Sequence, residues 1–353
     1  MNDLDLLKKL HDDVAPPSAR ALAQARRQLV TPPSRSPWRL VVAHRRALLA
    51  GALALTLAGG FLVTDVVKHD GAPPLGAVAD AGTFLADAAS ASIAEPDAPI
   101  PPGQFLKITF RSTRLTPLGS NPGLRATEYG ERDTWIAADR KAPYPTLVSW
   151  MSRVDFATPE ARELAQTKAK YLFHTTTPSL MLNSCPTIGS GVIMFGAMNC
   201  RPTWQNTTFE FLAAQPRDPD ALLAALRRNP TPQTPDEAAF DRIGWVLSTG
   251  VVPADLRAAL YQAARKIPGI KLLDDVVTVD GRRARVIARD GDGYRDDLLI
   301  AETGGQFLGT RIAIIKDGPP DINGKPERSL QAGDILYSAI AGAGITSTPP
   351  PTK

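Results

Sequence analysis

The feature that most constrains this chain is an apolar run close to its N-terminus. Residues 47–64 are eighteen consecutive positions without a charged side chain. A helix of that length rises about 27 Å, close to the roughly 30 Å thickness of the hydrocarbon layer of a bilayer. Six leucines in the run favour insertion into lipid, whereas its glycines weaken it. We therefore predict one transmembrane helix over residues 47–67.

The charges beside this run predict its orientation. Only Lys68 follows the run closely, whereas four arginines precede it: Arg35, Arg39, Arg45 and Arg46. Because positive charge is retained on the cytoplasmic side, we expect the N-terminus in the cytoplasm and the chain after residue 67 outside the cell membrane. A cleaved signal peptide and a buried soluble helix are the alternatives. The 46 residues before the run are too many for a typical signal peptide.

The distribution of charge argues against a nucleic-acid partner. The formal net charge is +4, but residues 1–46 alone carry nine basic and four acidic side chains. Residues 47–353 carry 31 basic and 32 acidic side chains. A nucleic-acid-binding protein concentrates basic residues on a folded domain, and here the excess lies entirely before the apolar run. We expect the membrane to be a partner and nucleic acid not to be one.

Residues 1–46 are predicted to be a basic cytoplasmic arm with two short amphipathic patterns. Apolar side chains recur at helical spacing at Leu4, Leu7, Leu10, Leu22 and Leu29. Isolated helices of this length are marginally stable in water, so these apolar faces indicate a partner surface or the membrane. A loosely structured tail that only sets the orientation of the span is the alternative.

Composition divides the rest of the chain into three segments. Residues 68–102 are rich in Ala and Pro and are predicted to be a linker that lifts the folded part off the bilayer. A short helix around 82–93 is compatible with that composition. Residues 103–316 are predicted to be an extracytoplasmic domain, and residues 317–353 a C-terminal tail that is partly disordered.

Strand and helix signals within 103–316 predict an α+β fold. Alternating apolar and polar residues predict early strands at 105–110, 133–138, 146–153 and 191–195. Three amphipathic helices follow, with Asp218 as an N-cap and Thr234 with Glu237 as a capping box. Strands joined by Gly-rich turns recur after Ile270. We therefore predict an antiparallel sheet packed with amphipathic helices.

The two cysteines, Cys185 and Cys200, are predicted to form a disulfide. Both lie on the side of the membrane expected to be oxidising, with glycines between them that let the chain double back. Two buried thiols are the alternative. The sequence has no zinc-binding spacing of Cys and His and no nucleophile motif, so we assign no metal, cofactor or catalytic residue.

Acidic and aromatic residues give weaker signals. The pairs Asp274–Asp275 and Asp296–Asp297 are interpreted as solvated residues at strand edges. Residues 290–293 are interpreted as a hairpin turn and not as a calcium loop. Five aromatic residues are interpreted as core, with a lipophilic groove as the alternative: Trp135, Trp150, Trp204, Trp245 and Tyr261.

Several short motifs are distributed over the arm and the domain in a fixed order. They are PPSARALAQARRQL in the arm, GQFL at 103–106, DTW ending at Trp135, PRDPDALLAALR at 216–227, VPADLRAALYQAARKIPGI at 252–270, DGRRA at 280–284 and LLIAETGGQFLG at 298–309. In this order they resemble a family of single-pass membrane proteins of unknown function that is common in actinobacteria. Members are often encoded beside extracytoplasmic-function sigma factors. The resemblance implies a regulator whose arm contacts a cytoplasmic sigma factor.

These observations lead to three hypotheses of different classes. The first is a non-enzymatic, membrane-anchored protein that senses or binds an envelope component and contacts a cytoplasmic sigma-type regulator. The second is a binding or carrier module for lipids or envelope polymers, which would need a deep apolar cleft. The third is an unrecognised hydrolase, for which the sequence offers no catalytic constellation.

Overall fold

The structure is a computed structural model, and it describes residues 75–95, 97–140, 144–183, 202–228, 233–319 and 326–352. Outside these ranges lie the predicted cytoplasmic arm, the apolar run with its flanking arginines, both cysteines and the strand predicted at 191–195. Among the helices within the described ranges, none is long and apolar enough to cross a membrane. The predicted transmembrane helix thus stays a prediction.

One antiparallel sheet of nine strands organises the described part of the chain. Its strands, in chain order, are β1 Phe105–Pro117, β2 Arg125–Ala137, β3 Tyr144–Phe156, β4 Ser179–Asn183, β5 Ile270–Val279, β6 Arg282–Asp290, β7 Tyr294–Ala301, β8 Phe307–Ile314 and β9 Ile335–Thr346. Their order across the sheet is β4-β3-β2-β1-β9-β8-β7-β6-β5. Two hairpin meanders, one from each half of the domain, therefore meet on either side of β9.

Six α-helices accompany this sheet in the described ranges. They are α1 Leu75–Ala94, α2 Pro159–Lys168, α3 Phe209–Ala213, α4 Pro219–Arg227, α5 Pro235–Leu247 and α6 Ala254–Ala264, with a 3₁₀-helix at Lys170–Phe173 after α2. The start signals behave as predicted. Asp218 accepts hydrogen bonds from the backbone of Asp220 and Ala221, and Thr234 and Glu237 form a reciprocal capping box.

The main core lies between one face of the sheet and the helices α1, α4, α5 and α6. Strand residues such as Ile108 and Ile287 are buried there against helical residues such as Leu85, Ile243 and Leu256. Each fully buried aliphatic side chain contributes about 1.5–3 kcal/mol relative to exposure. The α+β fold with an antiparallel sheet and packed helices is confirmed.

The sheet is strongly curved on its other face. A second apolar cluster on that face contains Val286, Leu299 and Leu308. Asp280, in the turn between β5 and β6, contacts Arg111 of β1 at 3.5 Å although β7, β8 and β9 stand between those strands in the sheet. Right-handed twist and coiling of a large antiparallel sheet produce this kind of approach.

Helix α1 occupies part of the segment that the sequence analysis interprets as a linker. It is twenty residues long, and Ala81, Leu85, Ala88 and Ala89 are buried in the main core. The linker interpretation of residues 75–94 is therefore corrected. The helix is rich in alanine, as linkers often are, and for this reason the composition of the segment did not indicate a packed helix.

The interpretation of residues 317–353 as a partly disordered tail is wrong for Ile335–Thr346, which form strand β9. It pairs with β1 on one side and β8 on the other, so the segment ILYSAIAGAGIT lies at the centre of the sheet. Tyr337, Ala339 and Ala341 alternate inward and are buried. The hydropathy of successive residues in this segment differs little, because many of them are alanine or glycine. Hydropathy alone therefore does not predict a strand here.

Helix α1 is fixed to the domain by a close contact at Gly305, in the turn before β8. Gly305 has φ 63°, and an added Cβ would lie 2.4 Å from the carbonyl oxygen of Ala88. The buried hydroxyl of Tyr261 donates a 2.9 Å hydrogen bond to the Gly305 carbonyl. Only glycine combines this conformation with this approach.

Gly305→Ala is expected to lower the free energy of unfolding by about 2–4 kcal/mol, because it adds both left-handed strain and overlap with α1. Gly342→Ala is the matched control, since its added Cβ would meet nothing within 4 Å. Urea unfolding of the full chain in detergent, followed by tryptophan fluorescence, measures both. Equal stability of the two variants would contradict the close contact.

Candidate functional site

A crevice between helix α5 and strands β7, β8 and β9 is the candidate binding site. We call it the Trp245 crevice and define it by the residues that line its walls: Phe240, Gly244, Trp245, Leu298, Thr310 and Ile312. Its cavity volume is about 60 Å³, and it is partly open to solvent. Most of its wall is apolar side chain, so it suits a small apolar group.

Gly244 and Trp245 explain why a crevice forms at this point. A Cβ on Gly244 would lie 3.1 Å from Leu298 Cδ2 and 3.2 Å from Thr310 Cγ2, so glycine lets α5 approach the sheet closely. The next side chain is the large indole of Trp245, which is only half-buried and packs with the cluster around Phe110. Helix α5 therefore approaches the sheet closely at Gly244, whereas the bulk of Trp245 keeps a gap between helix and sheet beside it.

The volume limits what the crevice can hold. One water occupies about 30 Å³ of liquid, and an engineered cavity of about 150 Å³ accommodates benzene. At about 60 Å³ the crevice takes a small branch of a ligand or one side chain of a partner. An acyl chain needs more room, so the crevice alone does not support the lipid-carrier alternative.

Two adjacent aspartates of β7 have opposite environments at this site. Both residues border the crevice, but the side chain of Asp297 is 0% exposed and accepts hydrogen bonds from Arg295 and Arg311. Successive strand residues point to opposite faces, so the pair is divided between them. The interpretation of Asp296–Asp297 as a solvated pair is wrong for Asp297.

Other acidic residues are placed as the sequence predicts. Asp290 pairs with Arg295 at the end of the β6–β7 hairpin, and Gly293 in that turn has φ 77°. Asp274 is exposed in the irregular part of edge strand β5, where a register shift interrupts its pairing with β6. Bulges and charges on an edge strand oppose pairing with another chain.

A polar group lies beside the crevice on the same face of the sheet. The hydroxyl of Tyr337 is buried beside Ser112, and burial raises the pKa of Tyr337 well above its usual value. Burial lowers the pKa of the Arg132 guanidinium to about 10. Arg132 lies 5.2 Å from the centre of the Phe110 ring. Neither Tyr337 nor Arg132 changes protonation near neutral pH.

The aromatic residues that the sequence analysis grouped do not meet in one groove. Trp135 is buried under Lys107, and Tyr261 is fully buried in the main core. Trp204 packs edge-on against Phe211, at 5.1 Å between ring centres, beside that core. Only Trp245 of these lines the crevice, so the core interpretation is confirmed for Trp135 and Tyr261. The side chain of Trp150 is outside the described set.

The remaining predicted site residues fall outside the described ranges. These are the disulfide pair Cys185 and Cys200, the orienting arginines and the five leucines of the arm. Within the described ranges, no group of three or more His, Cys, Asp or Glu side chains could hold a metal ion. Sequence reasoning named Trp245 but missed Gly244, Thr310 and Tyr337, and the glycine inside the amphipathic pattern of α5 is the signal that could have added Gly244.

Tyr337→Phe is expected to lower the free energy of unfolding by less than about 1 kcal/mol, because its buried hydroxyl loses only a weak contact with Ser112. Tyr261→Phe is the matched substitution, and it should lower stability by about 1–2 kcal/mol through loss of the bond to Gly305. Thermal unfolding of both variants gives the comparison. A larger loss for Tyr337→Phe than for Tyr261→Phe would contradict this ranking of the two hydroxyls.

Comparison with known proteins adds little to this geometry. No protein-family model matches the sequence. No curated protein matches it either. One solved structure, described as the complex structure of Pseudomonas aeruginosa MucA/MucB, aligns with 14% identity and a TM-score of 0.24. The alignment covers 75% of this chain and 57% of that one, so it spans little more than half of the other chain. A TM-score this low carries no argument about fold or function.

Proposed function

We propose that this chain is a non-enzymatic, membrane-anchored protein whose extracytoplasmic α+β domain binds an envelope component. Its cytoplasmic arm contacts a sigma-type regulator. The observation that carries the binding role is the Trp245 crevice, a partly open recess of about 60 Å³ with an aromatic wall. The anchoring role is supported by the uncharged run at residues 47–64 and the four arginines before it.

The chemistry of the crevice favours recognition of one small group on a larger ligand. A half-buried indole offers a large apolar face at little cost in side-chain entropy, and such residues dominate binding hot spots. The hydroxyls of Ser248 and Thr310 and the carboxylate of Asp296 add polar atoms around it. A ligand that places an apolar branch against Trp245 and a polar group beside it fits this set.

Membrane topology is the first test of the proposal. Protease added to intact spheroplasts is expected to remove the part of the chain after residue 67, because that part lies outside the membrane. A cytoplasmic protein in the same cells serves as the control for lysis. Survival of the C-terminal part in intact spheroplasts, with cleavage only after lysis, would contradict the proposed anchoring and orientation.

The arm is the second test. Full chain purified from its own cells is expected to bring down a sigma factor, because the apolar faces around Leu7 and Leu29 need a partner surface. Replacing both Leu22 and Leu29 with Ser should reduce recovery by at least about tenfold, equivalent to about 1.4 kcal/mol. Substitution of the exposed Thr167 in the domain serves as a control. Equal recovery of the sigma factor by the full chain and by a variant with a scrambled arm would contradict the contact.

A further inference from the structure

Helix α1 connects the two ends of the sheet and so determines where the chain enters the domain. Its C-terminal half lies against Gly305, in the turn between β7 and β8. Its N-terminal half lies near Arg265, where an added Cβ on Gly82 would be 4.0 Å from the Arg265 Nε. Arg265 comes just before Ile270, the start of β5. The chain therefore enters at the end of the sheet where β5 begins.

The pairing registers show which other residues share this entry end. Antiparallel neighbours place the end of one strand beside the start of the next. The start of β5 pairs with the end of β6, which pairs with the start of β7, and the start of β7 pairs with the end of β8. The end of β8 pairs with the start of β9, the start of β9 with the end of β1, and the end of β1 with the start of β2. The last step joins Ala126 to Phe156, at the end of β3.

A rigid group of aromatic and basic side chains stands at this end. Phe156 stacks on Phe173 of the 3₁₀-helix with ring centres 5.3 Å apart, and Arg162 of α2 lies 5.8 Å from each ring centre. Leu172 between the exposed aromatics is buried, so the 3₁₀-helix is held down by its own core contact. Tyr171 and Phe173 remain 50% and 36% exposed.

The charge around these aromatics is basic. Lys168 and Lys170 are exposed on either side of buried Ala169, and no acidic residue occurs between positions 164 and 176. Glu160 and Glu163 lie in the first turns of α2 on either side of Arg162, whereas Lys168 and Lys170 lie at its far end and beyond it. Other acids close to the group are paired. Glu128 pairs with Arg114, and Asp155 lies 3.1 Å from Arg153.

We propose that this surface, which we call the aromatic–basic ridge and define as Arg162, Lys168, Lys170, Tyr171 and Phe173, rests on the anionic lipid surface of the membrane. The proposal depends on the proposed anchoring of the chain. Amphipathic aromatic rings sit at the level of lipid headgroups, and lysines beside them are attracted to anionic lipid. The ridge stands at the end of the sheet where the chain from the predicted span enters, so it has a bilayer within reach.

The consequence is a domain held to the membrane at two points. Leu75 at the start of α1 is eleven residues after Thr64, the last residue of the apolar run, and an extended chain of that length spans at most about 40 Å. A single tether of this length leaves the domain free to rotate. Contact at the ridge would fix which end of the sheet faces the lipid.

Footprinting of the full chain in lipid nanodiscs tests the ridge. Discs of phosphatidylcholine alone are compared with discs containing about 30% phosphatidylglycerol, a typical anionic fraction that attracts basic surfaces. Hydroxyl-radical oxidation of Tyr171 and Phe173, read by mass spectrometry, should fall at least about threefold in the anionic discs. Leu182, which is 56% exposed in β4 and pairs with Pro145 near the start of β3, is the internal control and should not change.

Charge reversal separates the ridge from general attraction to lipid. Lys168→Glu with Lys170→Glu should restore oxidation of Tyr171 and Phe173 in anionic discs to the neutral-disc level. Arg282→Glu with Arg283→Glu makes the same change in charge at the opposite end of the sheet and should leave the protection intact. Loss of protection in both double variants, or in neither, would overturn the ridge as the contact.

Co-elution of the chain with discs distinguishes failure of the membrane anchor from failure of the ridge contact. A chain that co-elutes with discs but shows equal oxidation of Tyr171 and Phe173 in both lipid compositions overturns the ridge and leaves the anchor standing. A chain that fails to co-elute with either disc overturns the anchor and, with it, the ridge.

Discussion

The pairing of β9 between β1 and β8 is the constraint on which the rest of the domain depends. Without it, β1 to β4 and β5 to β8 would be two separate meanders of four strands each. With it, they form one sheet wide enough to cover the helices α1, α4, α5 and α6 on a single face. The strand that completes the sheet is supplied almost last by the chain, so pairing across the whole domain is long-range. Topologies of this kind fold slowly, because the entropy of loop closure is lost before the long-range contacts form and stabilise the chain.

The parts of the fold that the sequence predicted are those determined by local chemistry. Caps act within one turn of a helix, which is why Asp218 and Thr234 marked the starts of α4 and α5 correctly. The Gly-rich turns around Gly281 and Gly293 adopt positive φ and connect β5–β6 and β6–β7 as antiparallel hairpins. These signals need no knowledge of what lies elsewhere in the chain.

The parts that the sequence did not predict depend on distant partners. Strand β9 is a strand because β1 and β8 flank it, and α1 packs because Gly305 leaves its backbone room. Asp297 is buried because Arg295 and Arg311 neutralise it, and the register that brings Arg311 opposite Asp297 is a property of two strands. The Trp245 crevice is of the same kind. Its walls come from α5, β7, β8 and β9, and only the aromatic residue itself was visible in the sequence.

The size of the crevice limits the affinity that it alone can provide. A cavity of about 60 Å³ is less than half the size of one that holds benzene, so it admits only a small group, and the best small ligands gain at most about 1.5 kcal/mol per non-hydrogen atom. The crevice alone would therefore give only a few kcal/mol, and about 4 kcal/mol corresponds to millimolar affinity. A ligand that binds more tightly must touch surface beyond the crevice. The proposed binding role therefore calls for a repeated or extended molecule, with one branch against Trp245 and further contacts on the surrounding surface.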